Sequence, residues 1–201
     1  MGLNINLFNQ EKQLRLEFAH RYINSNFHNI VFADEAAYQT WRYGLYHMRK
    51  ASCRPKASWF NPQYVQRLNV CGEISWNGPS KFPFTTNLDS KGYSIIIKKY
   101  IKNFIDNYPG ECILFQDNDS KHSSCTCVRT LEENNMTWIK IPANSPDINI
   151  IEDVWGDMRR FVQKNYCETL KDLRKRVTKY VQNKFKVESF RNHINKLHDL
   201  I

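Results

Sequence analysis

The longest uninterrupted apolar runs in the chain, Ile30 to Ala33 and Cys112 to Phe115, are four residues each, and an aspartate, Asp34 or Asp117, follows each closely. Runs of this length suit strands buried on both faces. They are far too short for a membrane-spanning helix, which needs about 20 apolar residues, or for the apolar stretch of a secretory leader. An intracellular chain is expected.

Around these runs the apolar spacing becomes helical. Leu14, Leu16, Phe18, Ala19 and Ile23 mark a lead-in helix, and Tyr93, Ile96, Ile97, Tyr100, Ile101, Phe104 and Ile105 form one stripe that Pro109-Gly110 stops. Further helices are expected over 123–134 and 149–165, with a short strand over 137–141. Two more helices carry Leu170, Leu173, Val177, Tyr180 and Val181, then Phe190, Ile194, Leu197 and Ile201. A strand-like stretch over 65–75 runs into Asn77-Gly78, which predicts a type I′ hairpin with a return strand over 82–86. This order is α/β with a mixed sheet.

At 201 residues the chain should bury roughly 70% of its unfolded surface without staples. The cysteines Cys53, Cys71, Cys112, Cys125, Cys127 and Cys167 include no Cys-x-x-Cys pair. Buried free thiols are expected, with no zinc site. Residues 1–28 are expected as a lead-in helix, 29–165 as the body of the domain and 166–201 as basic helices. Within the body, residues 38–63 look like an irregular insertion. There Trp41, Arg42, Arg49, Arg54 and Lys56 mix rings with cations, as nucleic-acid stacking surfaces do and as hydrophobic clusters with snorkelling bases also do.

Net charge is +9, and residues 158–201 hold 12 Lys and Arg against 4 Asp and Glu. A segment so cationic reads as a phosphate-binding surface or as a solvated helix face. Arg159, Arg160, Lys164, Lys171, Arg174, Lys175 and Arg176 are the favoured phosphate contacts; Lys121 and His122 beyond Asp117 are either contacts to a phosphate or scissile strand or solvated loop residues.

Asp34 and Asp117 stand where open α/β sheets place functional groups, at the carboxyl ends of strands. Glu152 falls in the first turn of the helix opened by Asn149. Converging on one edge, three such carboxylates suit Mg²⁺ or Mn²⁺. Two ions about 3.5 to 4 Å apart would activate an attacking oxygen and stabilise a leaving one in phosphodiester displacement. Each acid also has a plainer reading. The aspartates can end strands, and Asn149-x-x-Glu152 has capping-box spacing.

Four blocks bear on that choice. Val31-Phe32-Ala33-Asp34-Glu35, Asn69 to Gly78, Phe115-Gln116-Asp117-Asn118-Asp119-Ser120-Lys121-His122 and Ser145-Pro146-Asp147-Ile148-Asn149-Ile150-Ile151-Glu152-Asp153-Val154-Trp155 resemble, in order, the catalytic blocks and central hairpin of mariner-superfamily DDE transposases. The second and third acids have 34 residues between them, as in that family's Glu-bearing branch. The resemblance covers residues 10 to 165 or so. It implies an RNase H-like fold, with Asp34, Asp117 and Glu152 as the catalytic, metal-binding triad. Glu35, Asp119 and Asp153 are then neighbours that do not ligate. It further implies Mg²⁺ or Mn²⁺, two ions, and cutting and joining of DNA in the nucleus, with a homodimer admissible and no small-molecule cofactor or membrane. Family members carry N-terminal helix-turn-helix modules, and only about 30 residues precede Asp34, so sequence-specific end recognition is not expected. Where the family commonly has Pro at the start of the last block's helix, this chain has Ile150. A catalytically silent remnant that binds nucleic acid or a partner is the alternative.

Overall fold

The computed structural model describes residues 2–40, 65–86, 88–142, 145–165 and 167–197, with side chains from residue 10. Of the residues 38–63 read as an irregular insertion, 41–63, with Trp41, Arg42, Arg49, Arg54 and Lys56, lie outside this set, whereas Tyr38 and Gln39 belong to a strand instead.

Chain order is α1 (Gly2–Tyr22), β1 (Ile30–Gln39), β2 (Arg67–Ser75), β3 (Gly78–Pro79), β4 (Phe84–Thr85), α2 (Ser90–Ile96), a π-helical turn (Ile97–Ile101) running into α3 (Lys102–Asp106), β5 (Ile113–Gln116), α4 (Cys125–Glu133), β6 (Trp138–Lys140), α5 (Ile151–Gln163), α6 (Leu170–Lys184) and α7 (Val187–Lys196). The strands form one mixed sheet in the order β3-β2-β1-β5-β6, with β4 also on β2. β1 runs antiparallel to β2 and parallel to β5, and β5 runs parallel to β6.

Successive side chains of a strand point to opposite faces, and β1 divides the interior accordingly. Ile30, Phe32, Ala36 and Tyr38 belong to a core with Phe18 and Tyr22 of α1, Trp155 and Met158 of α5, and Leu173, Val177, Phe190 and Ile194 of the last two helices. Val31 and Ala33 face a second core with Tyr93, Ile97, Ile101, Cys127 and Leu131. The helices at both ends of the chain thus pack on the same side of the sheet. Among the described residues no helix is long and apolar enough to cross a membrane.

Two expectations about the strands are corrected. β1 does not end at Ala33: it continues through Asp34 and Glu35 to Gln39, paired with β2 as far as Gln39 opposite Arg67, whereas its pairing with β5 stops at Phe32. Beyond Phe32 the strand has lost one neighbour, so its apolar run gives way to alternating burial while its backbone stays satisfied on the β2 side. The hairpin also turns one residue early. Ser75 pairs with Gly78, so Trp76 and Asn77 form the loop, and of these residues only Gly78 has positive φ, at 116°. The turn is therefore not type I′. Ser75 Oγ holds it by donating to the Gly78 carbonyl at 3.0 Å and accepting from the Asn77 N–H at 3.2 Å.

Candidate active site

The sheet register brings the two aspartates together. Phe32 pairs with Phe115 across the parallel strands β1 and β5, and Asp34 and Asp117 each follow their phenylalanine by two residues. Alternation from that pair sends both toward one face, Asp34 still within β1 and Asp117 just past the end of β5. α5 packs on that face and brings Glu152 in its first turn. Trp155, three residues on and so on the same side of the helix, donates its indole N–H to Asp34 Oδ2 at 3.1 Å. Upstream of α5, Arg15 of α1 grips Asp147 through two contacts of 2.8 and 2.5 Å, fixing the loop that leads into the helix.

The capping role of Asn149 and Glu152 is not formed. Ile150 is the cap residue, helical in φ and ψ and without a side-chain cap, and the buried Asn149 Oδ1 has no hydrogen-bond partner. Ile150 therefore takes the helical conformation that the family's Pro would pre-set. Glu152 itself is exposed.

The environments of the two aspartates differ. Asp34 is 8% exposed, and burial first, then the charges of Glu35, Glu152 and Asp117, pushes its pKa up to about 8. Burial would also raise Asp117, but the adjacent His122 and the Asp119 N–H outweigh that and leave it below the usual carboxylate range. His122 Nδ1 lies 2.6 Å from Asp117 Oδ1, a close ion-pair contact with poor hydrogen-bond alignment, and its Nε2 lies 2.9 Å from Glu35 Oε1. Burial alone would lower the imidazolium pKa; the Asp117 and Glu35 carboxylates raise it to about 9.

The basic residues divide into two groups. Arg159, Arg160, Lys164, Lys171, Arg174 and Lys175 are exposed, and Arg160 also pairs with Asp157 on its own helix. Helical spacing sets Arg159 two turns from Glu152 on the same side of α5. Lys121, His122 and Arg176, in contrast, are committed internally. Lys121 Nζ pairs with Glu35 Oε2 at 2.9 Å and Asp119 Oδ2 at 2.6 Å. The His122 side chain is 0% exposed, so it presents no edge to a phosphate. Arg176 lays its guanidinium over the Phe161 ring at 4.5 Å and donates to the Phe161 carbonyl at 3.1 Å. Arg176 is drawn to the phosphate surface by its place in a cationic segment, and Lys121 and His122 by theirs just beyond Asp117, and neither signal tells which way a side chain turns.

Glu35 and Trp155 are the site residues that reasoning from sequence passed over as partners. Strand alternation alone directs Glu35 to the face opposite Asp34, and i, i+3 spacing alone aligns Trp155 with Glu152; which groups they would meet depends on the tertiary fold.

Three acids converge here, in a donor set made only of oxygen, yet among the described residues no three His, Cys, Asp or Glu side chains form a ready-made cation cage. Burial first, and the neighbouring carboxylates second, disfavour the Asp34 carboxylate, and a bound cation would offset both. The donor set and its charge therefore fit hard divalent ions such as Mg²⁺ and Mn²⁺.

Comparisons with known proteins bear on the family and the fold. The transposable element Tc3 transposase of Caenorhabditis elegans is 26% identical over 165 residues, covering 75% of this chain and 47% of that protein. The transposable element Tcb2 transposase of Caenorhabditis briggsae is 27% identical over 146 residues, covering 67% and 52%. The chain thus spans about half the length of these relatives. The crystal structure of the mariner Mos1 paired end complex with Mg superposes with a TM-score of 0.79 at 18% identity, covering 94% of this chain and 58% of that one. The catalytic domain of Mos1 mariner transposase gives 0.67 at 17% identity, covering 94% and 87%. The mixed sheet flanked by helices is therefore the RNase H-like fold of the Mos1 catalytic domain. A family model described as DDE superfamily endonuclease matches residues 29–174, and the chain belongs to that family.

Proposed function

We propose that the chain is the catalytic domain of a mariner-type transposase, cutting and joining DNA phosphodiesters, with Asp34, Asp117 and Glu152 as ligands for two Mg²⁺ or Mn²⁺ ions. The observation that carries this reading is the register: Phe32 and Phe115 pair across β1 and β5, Asp34 and Asp117 each follow two residues later, one within β1 and one just past the end of β5, and α5 brings a glutamate to them. Bound there, divalent ions supply Lewis acidity to an attacking and a leaving oxygen. The chain's own residues position and neutralise. Trp155 fixes Asp34 against α5, and the Arg15–Asp147 pair fixes the approach to Glu152. Arg159 and the exposed bases of α5 and α6 give the phosphate backbone a cationic path from the acids outward. Backbone contact of this kind binds DNA with little regard to sequence and weakens steeply with salt. The Mos1 neighbours include paired-end complexes, and a second copy holding a second DNA end, in the nucleus, is the corresponding arrangement for this chain.

The test is nicking of supercoiled plasmid in Mg²⁺ or Mn²⁺. Asp117→Asn and Glu152→Gln are each expected to lower the rate by more than about 100-fold, beyond what loss of an outer group costs a metal site. Equal nicking by wild type and both variants would refute the assignment.

A further inference from the structure

On the far face of β1 from Asp34 lies a buried polar cluster that the triad does not use. Glu35 points into it, and both of its oxygens are occupied: Oε1 by His122 Nε2 at 2.9 Å and Oε2 by Lys121 Nζ at 2.9 Å. Each oxygen thus already faces a cationic partner. His122, fully enclosed, rests its ring 4.2 Å from that of Tyr93, and the Tyr93 hydroxyl in turn donates to Gln116 Oε1 at 3.2 Å, one residue before Asp117. The ring thus has a packed wall behind it and a carboxylate against each nitrogen. At its other end Nδ1 meets Asp117 Oδ1 at 2.6 Å, and the Asp119 N–H donates to that same oxygen at 3.1 Å. Asp117 Oδ2 has no hydrogen bond to the described residues.

We propose that Glu35 and His122 are positioning residues, a two-member strut running from β1 that pins Asp117 by Oδ1 and leaves Oδ2 turned toward the metal site. The half-exposed Asp117 would otherwise sample several rotamers on the loop after β5. A ligand locked in one orientation before the ion arrives loses less freedom on binding it, and outer groups that orient a metal ligand typically contribute about 10–100-fold in affinity. The strut works through geometry: the strand fixes Glu35, Glu35 and Tyr93 fix the imidazole, and the imidazole fixes the carboxylate. Lys121, which holds the second Glu35 oxygen and Asp119 together, closes the cluster on its outer side.

The inference rests on the metal reading of the triad, and the test separates the two. Mn²⁺ affinity is measured on the full chain by titration with the spin signal of free Mn²⁺, alongside melting of the metal-free protein. His122→Phe keeps the ring against Tyr93 and removes both nitrogens; it is expected to weaken Mn²⁺ binding about 10–100-fold. His122→Asn, which keeps a donor near the place of Nδ1, should recover part of that loss. Glu35→Gln should weaken binding several-fold, and the Glu35→Gln/His122→Phe double variant should be no weaker than His122→Phe alone, since residues in one chain of contacts do not add. Wild-type affinity in His122→Phe, or losses that add in full, would overturn the strut while leaving the triad standing. If wild type takes up no Mn²⁺, the triad reading falls and the strut with it. Should His122→Phe fail to fold, Glu35→Gln decides alone, with unchanged affinity as the overturning result.

Discussion

Asp34 and Asp117 each stand two residues past one member of a paired phenylalanine couple, the first within β1 and the second just beyond β5, and the protein treats them in opposite ways. Asp34 is set among apolar neighbours with a neutral indole as its side-chain donor, so burial and like charges push its pKa up to about 8. Asp117 is half exposed and backed by an enclosed imidazolium, so its pKa is held down. The comparison shows how one site accommodates two carboxylates before any cation is present. One is kept reluctant to ionise and the other is given its own countercharge, which is the usual way that environments separate the roles of paired acids.

Neutralising each acid in turn is the strongest way to break this contrast. The ionised form of Asp34 is disfavoured by folding, since its pKa rises from 3.8 to about 8. Its cost is therefore absent below about pH 4, grows as pH rises and is complete above about pH 8. Asp34→Asn removes that cost, and the metal-free variant should melt several degrees above wild type at pH 8, with the gap narrowing to about a third at pH 5. Asp117 has a lowered pKa, so its contribution is present above the ordinary carboxylate range and lost as pH falls through the folded value. Asp117→Asn takes a partner from buried His122. That histidine, raised to about 9, adds stability fully present below pH 6.5 and lost as pH rises through 9. Screening at a half-exposed carboxylate limits the loss to about 1 kcal/mol, or roughly 2–4 °C. Melting curves in chelator from pH 5 to 9 check the signs. Two variants shifting in the same direction at pH 8 would contradict the contrast.

A second prediction acts on the Asp34 side alone. Gly72 pairs with Asp34 across the sheet, and a Cβ there would stand 2.6 Å from Phe82 Cδ1. Only a residue without a side chain lets that ring lie over the strand. Phe82 in turn meets Trp155 edge-on at 5.6 Å between centroids, so the glycine seats the indole that holds Asp34. Gly72→Ala should cost about 1–3 kcal/mol by overpacking. Phe82→Leu in the Gly72→Ala background should restore part of the loss, measured as melting temperature. If Phe82→Leu adds its own full cost instead, the ring is not what the methyl displaces.

The sequence made Asp34, Asp117 and Glu152 legible because acids beside short apolar runs and in a first helical turn are local signals, and the family blocks joined them. The fold class was legible for the same reason, since helical stripes and strand runs are set by neighbours in the chain. What stayed hidden depends on distant pairings. The extension of β1 beyond Ala33 requires β2, not an apolar run. The Trp155–Asp34 bond joins residues 121 apart, and the His122–Glu35 contact joins residues 87 apart. No local pattern says which helix covers which face of a sheet. The same blindness covers Lys121, His122 and Arg176, since neither a place beyond Asp117 nor a place in a cationic segment tells an open cation from one already paired.

Neighbouring residues of α6 sharpen that distinction between committed and open charge. Lys175 is exposed, so on the proposed DNA surface it is free to replace a counterion on a phosphate. Arg176, next in sequence, turns inward, covering the Phe161 ring and serving the Phe161 carbonyl across the α5–α6 contact. Arg176→Gln should therefore cost about 1–2 kcal/mol of stability through the lost cation–π contact and hydrogen bond, while leaving the salt dependence of DNA binding unchanged. Lys175→Gln should do the reverse, moving stability by no more than about 0.5 kcal/mol. Where Lys175 contacts a phosphate, its loss lowers the slope of log affinity against log salt by about 0.9. Fluorescence anisotropy with a duplex across a salt series, read beside melting temperatures, separates the two effects. A slope reduced equally by both substitutions would mean that the Arg176 charge also reaches DNA, and that the inward contact with Phe161 gives way when the duplex binds.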